Sequence, residues 1–240
     1  MISKNDRSEQ QQETLAVNSV FQTQRRVLII DDHALVRDGV RLRVESDPRY
    51  LVCGEAADTA EALELVAALN PDMAIVDISL KTGNGLDLVK RMLSVRPQLL
   101  VVVCSMHDDL IYAERALRAG ARGYVNKNRS STDLMEAIRT VFDGRLFACD
   151  EVVQRMLIRS GGRKSDSKDD DSPVDRLTDR ELEVLERIGR GHAVGQIASE
   201  LHLSPKTVET YRDRVRTKLN IDSAHELQHF AFRWVSEHNE

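Results

Sequence analysis

The sequence predicts two folded units: an α/β body on a doubly wound, five-stranded parallel sheet, then a small all-α helix-turn-helix body. Three observations predict this. From about residue 27 to 145, short runs of Val, Ile and Leu alternate with helix-patterned segments, and such alternation implies a parallel sheet covered by helices on both faces. Residues 159–172 then carry no apolar side chain to offset the entropy of ordering. Beyond them every periodic segment is helical. A length of 240 residues suits two domains.

Taken in order, residues 1–24 are rich in Gln, Asn, Ser and charge and read as a disordered tail. Strands follow at 27–30, 51–53, 73–76, 99–104 and 123–125, rich in Val, Ile and Leu as in strands buried on both faces. Helical patterns lie between them, one over 60–69 that stops at Asn70-Pro71 and one over 86–93 that stops before Pro97. A last helix follows the fifth strand, with Thr132 as its cap, Asp133 and Glu136 in its first turns, and Leu134, Ile138 and Val141 as its apolar stripe. The first domain, with a helical extension at its end, thus spans 25–158; residues 159–173 form the linker and 174–240 the second domain.

The second domain opens on a capping box, Thr178 to Glu181, before Leu182, Leu185 and Ile188 on one helical face. Gly189 and Gly191 end that helix. A short one follows over 194–201, with Ile197, Ala198 and Leu201 at core spacing. Ser204-Pro205 then supplies an N-cap and a first-turn proline for a helix reaching about residue 219, and Ser223 with Glu226 makes another capping box before a last helix toward Trp234. Two helices joined by a short turn, the second well capped, fit a helix-turn-helix. In that second helix Lys206, Arg212, Arg214, Arg216 and Lys218 stand against Glu209 and Asp213, a local charge of +3. Val208, Val215 and Leu219 form its buried stripe and turn Glu209, Thr210, Asp213 and Thr217 outward. Basic side chains there suit phosphates, and the shorter polar ones suit base edges.

Composition narrows the function further. A hydrophobic content of 41% with 30% charge is that of a soluble globular chain. No stretch approaches the ~20 apolar residues that span a bilayer, and residues 1–24 lack the apolar core of a secretory signal, so the expected location is cytoplasmic and no membrane partner is expected. Cys53, Cys104 and Cys149 are odd in number and widely spaced, as free thiols are. A net charge of −5 excludes a protein that coats nucleic acid over its whole surface.

The chemistry gathers at the strand ends. The first strand ends in Asp31 and Asp32, the third in Asp77, the fourth in Ser105, and Lys127 follows the fifth. In a doubly wound sheet these side chains meet in the crevice outside the carboxyl ends of the strands. Three converging carboxylates need a cation, and a hard divalent ion such as Mg2+ fits, since it takes a few carboxylate oxygens and leaves positions for water and phosphate. Such a pocket can handle a phosphoryl group, with Asp77 as the nucleophile and the metal and Lys127 neutralising charge.

Asp31-Asp32-His33, Val76-Asp77-Ile78-Ser79-Leu80, Cys104-Ser105-Met106-His107-Asp108-Asp109 and Gly123-Tyr124-Val125-Asn126-Lys127 resemble, in order and spacing, the receiver domain of bacterial two-component response regulators. That resemblance implies a flavodoxin-like fold, with Asp77 as phosphoacceptor. It implies Mg2+ held by Asp31, Asp32, Asp77 and the backbone carbonyl of Ser79, and Ser105, Tyr124 and Lys127 as the groups that answer the phosphoryl group. Lys81 departs from the pattern, standing where many receivers carry proline. Residues 177–234 resemble the LuxR-type DNA-binding domain through Leu177-Thr178-Asp179-Arg180-Glu181, Gln196-Ile197-Ala198, Leu203-Ser204-Pro205-Lys206-Thr207-Val208 and Lys218-Leu219. Together they resemble the NarL/FixJ family. This likeness implies a phosphorylation-dependent transcriptional regulator, not an enzyme, partnered by a sensor histidine kinase and double-stranded DNA and dimeric when active. Its DNA contacts would come from Lys206, Thr207, Glu209, Thr210, Arg212, Asp213, Arg214, Arg216 and Lys218. Two other readings compete. A phosphatase or phosphotransferase passing through aspartyl phosphate would want a second Asp two residues after the nucleophile, where Ser79 stands, and would leave the helix-turn-helix unused. A receiver that switches without phosphate would leave the five-residue pocket unused.

Overall fold

The computed structural model describes residues 24–128, 131–161 and 173–238. Residues 1–23 of the expected tail and 162–172 of the expected linker lie outside them. The first domain is a five-stranded parallel sheet of β1 (Arg25–Ile30), β2 (Tyr50–Ala56), β3 (Met73–Val76), β4 (Leu100–Ser105) and β5 (Gly123–Asn126), in the spatial order β2-β1-β3-β4-β5. The helices are α1 (Ala34–Glu45), α2 (Thr59–Leu69), α3 (Gly85–Val95), α4 (Asp109–Arg118), α5 (Ser131–Phe142) and the extension α6 (Asp150–Gly161).

Alternation along the strands divides the core into two layers. Leu28, Ile30, Ala74, Val76, Val101, Val103 and Tyr124 face a layer that includes Ala62 and Val66 of α2, Leu88 and Met92 of α3, and Tyr112 and Ala116 of α4. Val27, Ile29, Met73, Ile75, Val102 and Val125 face the other, which includes Val44 of α1 and Leu134, Ile138 and Val141 of α5. Neighbours in register, such as Ile30 with Val76 and Val76 with Val103, bring the carboxyl ends of β1, β3 and β4 side by side. The direction of winding reverses between β1 and β3, so the ligand crevice opens there.

Local chemistry sets the boundaries. Asp58 caps α2 by accepting from the Ala60 and Glu61 amides, and Asn70 ends it in the left-handed region at φ 48°. Asn84 caps α3 through the Leu86 amide. Between β3 and α3 the chain makes a two-residue antiparallel ladder, Ser79 with Asn84 and Leu80 with Gly83, which the sequence pattern did not announce.

The second domain consists of a one-turn 3-10 helix (Pro173–Arg176), α7 (Asp179–Gly189), α8 (Val194–Glu200), α9 (Pro205–Leu219) and α10 (Ala224–His238). The Thr178–Glu181 capping box forms, and Ser204 caps α9 with Pro205 in its first turn. Val208 and Val215 are fully buried, as the stripe requires. At Gly189 an added Cβ would lie 2.4 Å from the Ala231 carbonyl, so the glycine sets how closely α7 crosses α10.

Three boundaries differ from expectation. Helix α5 already includes Ser131, so Thr132 lies in its first turn instead of capping it. Helix α6 continues to Gly161, three residues into the predicted linker, and Pro173 already belongs to the 3-10 helix. Ser223 accepts from the Glu226 amide at 3.1 Å, but the Glu226 carboxylate reaches the Asp222 amide at 3.4 Å, so the reciprocal half of that box is displaced by one residue.

Candidate functional site

The crevice brings the predicted pocket together. Asp31 and Asp77 are buried, and Lys127 reaches between them, its Nζ 2.6 Å from Asp31 Oδ2 and 3.0 Å from Asp77 Oδ2. The backbone continues the ladder to place them: the Asp77 amide donates to the Ile30 carbonyl and the Lys127 amide to that of Ser105, each at 2.8 Å. Asp31 Oδ1 accepts the His33 amide at 2.8 Å, which fixes the rotamer that offers Oδ2 to the lysine. Burial pushes the Asp77 carboxyl above the usual carboxylate range, against the pull of the Lys127 ammonium. Burial also opposes the charge on Lys127, but Asp77 and Asp31 prevail and hold it above the usual lysine range. Such a lysine stays cationic beside the carboxylate it touches.

The donor set fits a hard divalent cation. Asp31, Asp32, His33 and Asp77 each offer a ligand atom, all within 4.8 Å of one another. The Asp32 side chain is only 6% exposed, and its buried Oδ1 receives no well-directed hydrogen bond. A buried carboxylate oxygen left so poorly satisfied is costly unless a cation meets it. His33, whose Nδ1 stands 2.7 Å from that oxygen, joins the acids although the sequence pattern gave it no role.

Around the acids, Ser105 is buried and its Oγ accepts the His107 amide at 3.4 Å. Tyr124 points inward, its hydroxyl donating to the His107 carbonyl at 2.8 Å. Burial, with Asp109 nearby, keeps that phenol well above its ordinary range and therefore protonated. The Asn126 amide donates to the same carbonyl at 3.0 Å.

Sequence reasoning missed what lies on the far side of His107. Its ring stacks on Tyr112 with centroids 4.3 Å apart, and its Nδ1 lies 3.0 Å from Oε2 of Glu186 in α7. Tyr112 donates its hydroxyl to the same oxygen at 3.2 Å. Asn84 Nδ2 donates to Glu183 Oε1 at 2.9 Å, and Arg115 of α4 donates to the Leu177 and Val174 carbonyls and to Asp179 Oδ1. The apolar layer on this face of the sheet runs on into the core of the helical domain. The two domains are therefore docked through the start of α3, the segment 105–108 and α4 on one side and α7 on the other.

Docking leaves the outward face of α9 open. Lys206, Glu209, Thr210, Asp213 and Arg214 are exposed on α9, while Thr207, Arg212, Arg216 and Lys218 are partly covered. Arg212 pairs with Glu209, and Arg216 donates to the Asp222 carbonyl at 2.7 Å. Lys218 turns back to Glu181, Nζ to Oε2 at 2.6 Å.

The comparisons agree with this architecture. Residues 27–139 match the response regulator receiver domain, and residues 175–231 match the bacterial regulatory proteins of the luxR family. The chain belongs to the NarL/FixJ family of two-component response regulators, and it is a phosphorylation-dependent, DNA-binding transcription regulator. Among its relatives, the response regulator GacA of Pseudomonas aeruginosa is 34% identical over 208 residues, covering 87% of this chain and 95% of its own. The response regulator UvrY of Escherichia coli K12 is 31% identical over 207 residues, 86% and 93% of the two chains. Among solved structures, RcsB of Salmonella enterica serovar Typhimurium, bound to the rprA promoter with the phosphomimetic BeF3−, aligns with a TM-score of 0.57 at 26% identity, over 87% of this chain and 98% of its own. A second RcsB structure, two dimers on two parallel DNAs, aligns with a TM-score of 0.52 at 26% identity, over 86% and 97%.

Proposed function

We propose that Asp77 accepts a phosphoryl group from a sensor histidine kinase in a Mg2+-dependent step. The observation that carries this is Lys127 bridging Asp31 and Asp77 at 2.6 and 3.0 Å, a cation already placed where phosphoryl charge would arrive. A carboxylate oxygen of Asp77 attacks phosphorus; the O–P bond forms as the P–N bond of the donor phosphohistidine breaks, and the electron pair leaves on the imidazole nitrogen. Asp31, Asp32, Asp77 and the Ser79 carbonyl would hold the magnesium, which when bound neutralises the phosphoryl oxygens. Lys127 moves from carboxylate to phosphate, Ser105 turns its hydroxyl toward the new group, and Tyr124 follows through the His107 carbonyl. Asp77 is consumed in the step, so the protein is a switch and not an enzyme.

The output is DNA binding by α9 in the major groove. Lys206 and Arg214 serve phosphates, Thr210, Glu209 and Asp213 stand nearest the base edges, and Thr207, Arg212, Arg216 and Lys218 flank them. Two acids on the reading face weaken a single copy, and the RcsB dimers on DNA support a homodimer as the active form. Among the described residues no helix is long and apolar enough to cross a membrane, in keeping with work in the cytoplasm on DNA. The test is Asp77→Asn in the full chain, incubated with acetyl phosphate and Mg2+. The amide keeps the shape but cannot form an acyl phosphate. Hydroxylamine-sensitive phosphate should appear on the wild type alone; its appearance on the variant overturns the assignment.

A further inference from the structure

Thr210, Asp213 and Thr217 follow one another along the exposed face of α9, and all three present acceptors. Thr210 donates its hydroxyl proton to the Lys206 carbonyl at 3.0 Å, and Thr217 donates its own to the Asp213 carbonyl at 2.9 Å. A hydroxyl has one proton to give, so each can only accept from a further partner. Asp213 stands between them, roughly 140° and 160° round the helix from the buried Val208 and Val215 at 3.6 residues per turn. Its side chain is 72% exposed. Its Oδ1 accepts from Arg216 at 3.3 Å, and Arg216 is itself tied to the Asp222 carbonyl at 2.7 Å. Among the described residues Oδ2 has no partner. Glu209 differs, since both its oxygens accept from Arg212, at 2.9 and 3.2 Å.

Base edges differ in how they meet such a carboxylate. In the major groove guanine shows the acceptors N7 and O6, thymine shows O4, and adenine shows N7 beside its N6 amino group, whereas cytosine shows only its N4 amino donor. Cytosine is therefore the one base whose edge a carboxylate meets without facing an acceptor. We propose that Asp213 is a specificity-determining residue that accepts from the N4 amino group of a cytosine, so that the operator carries C at the position beneath it. This rests on the reading of α9 as the helix that enters the major groove. Arg216, anchored at Asp222, holds Oδ1 and leaves Oδ2 for the base. Thr210 and Thr217, with their protons committed, add no donor that a purine N7 or a thymine O4 could use. On every other sequence the same carboxylate meets acceptors and phosphate charge, so it penalises wrong sites as well as favouring the right one.

The experiment selects bound duplexes from a random pool with the full chain, treated with acetyl phosphate and Mg2+, for the wild type, Asp213→Asn, Asp213→Ala and Glu209→Gln. The wild type should return a motif with a preferred cytosine that Asp213→Ala no longer selects. Asp213→Asn should move that position alone from C toward A, because an amide accepts from N6 and donates to N7. Glu209→Gln should leave it at C. Pyrimidin-2-one in place of that cytosine removes only the amino group from the edge. It should weaken the wild type about tenfold, within the range of a good base contact, and leave Asp213→Ala unaffected. Asp213→Ala should also bind random duplex more tightly than the wild type, a gain that misfolding cannot produce. A motif unchanged in Asp213→Asn and Asp213→Ala, or a cytosine that follows Glu209 instead, overturns the assignment while leaving α9 as the DNA reader; a wild type that selects no sequence overturns that reading and the assignment with it.

Discussion

Gly85 lies directly beneath Asp77: a Cβ at position 85 would stand 2.0 Å from the Asp77 carbonyl oxygen and 2.8 Å from the Ile78 Cα. The Gly85 amide meanwhile donates to the Ile78 carbonyl at 2.7 Å, so helix α3 begins pressed against the turn that presents Asp77.

Gly85→Ala should therefore destabilise the chain by ~1–3 kcal/mol through overpacking against backbone that cannot give way. The matching change in α1, Gly39→Ala, meets nothing within 4 Å and should stabilise by roughly 0.5–1 kcal/mol from helix propensity alone. Chemical denaturation of the two variants should give opposite signs, and acetyl phosphate labelling should fall only for Gly85→Ala.

Lys127→Ala leaves the buried Asp31 and Asp77 without their shared ammonium. Removing one partner of a buried pair costs about 3–5 kcal/mol. Without the lysine the Asp77 carboxyl, already raised by burial, rises further. A carboxyl whose folded pKa exceeds its unfolded value gains stability from its proton, so the deficit should be large at pH 7 and shrink as pH falls through that raised value. Added Mg2+ should restore part of the melting temperature at pH 7. Phosphorylation should survive with Mg2+ while the DNA response fades, measured by labelling and by gel shift on the same samples.

How much of this was legible follows from distance along the chain. Asp31, Asp77, Ser105 and Lys127 sit within two residues of an apolar strand end, so the strand pattern that gave the sheet also gave the pocket. Caps such as Thr178 and Ser204 were readable because the bonds they make reach only three residues. The contact between His107 and Glu186 was not, since the two are 79 positions apart and Glu186 follows a helical spacing that looks solvent-facing until a second domain covers it. Glu183, with no side-chain exposure, was hidden in the same way. The inward stripe of α9 was visible in Val208 and Val215, but the return of Lys218 to Glu181 depends on how α9 crosses α7.

That return makes a pH-dependent contribution. Burial alone would raise the Glu181 carboxyl, but Lys218 and the Thr178 amide outweigh it and hold it below the usual carboxylate range. A carboxyl depressed in the folded state contributes stability that is full above its unfolded pKa, about 4.3, and is lost as pH falls through the folded value. Glu181→Gln should therefore lower the melting temperature at pH 7, with the gap from wild type closing below about pH 4. A gap independent of pH would mean that the ion pair with Lys218 contributes nothing beyond the shape of the side chain.

The outward face of α9 should separate phosphate anchoring from base reading. Arg214 and Thr210 are both exposed, one with a long cationic reach and one with a short hydroxyl. Arg214→Ala should weaken binding by a similar factor on all sequences and reduce the salt slope by about one unit. Thr210→Ala should instead change which base is preferred, costing the favoured site ~1–3 kcal/mol if the hydroxyl makes a good base contact. Lys218→Ala should differ from both, because its ammonium is held 2.6 Å from Glu181 and is only 35% exposed. Its loss should appear in the melting temperature, with the salt slope almost unchanged. The check is binding to a selected operator and to random duplex across a salt series for all three variants. Equal weakening of specific and random DNA by Thr210→Ala, with no change in base preference, would mean that this face does not read sequence and that α9 lies differently in the groove.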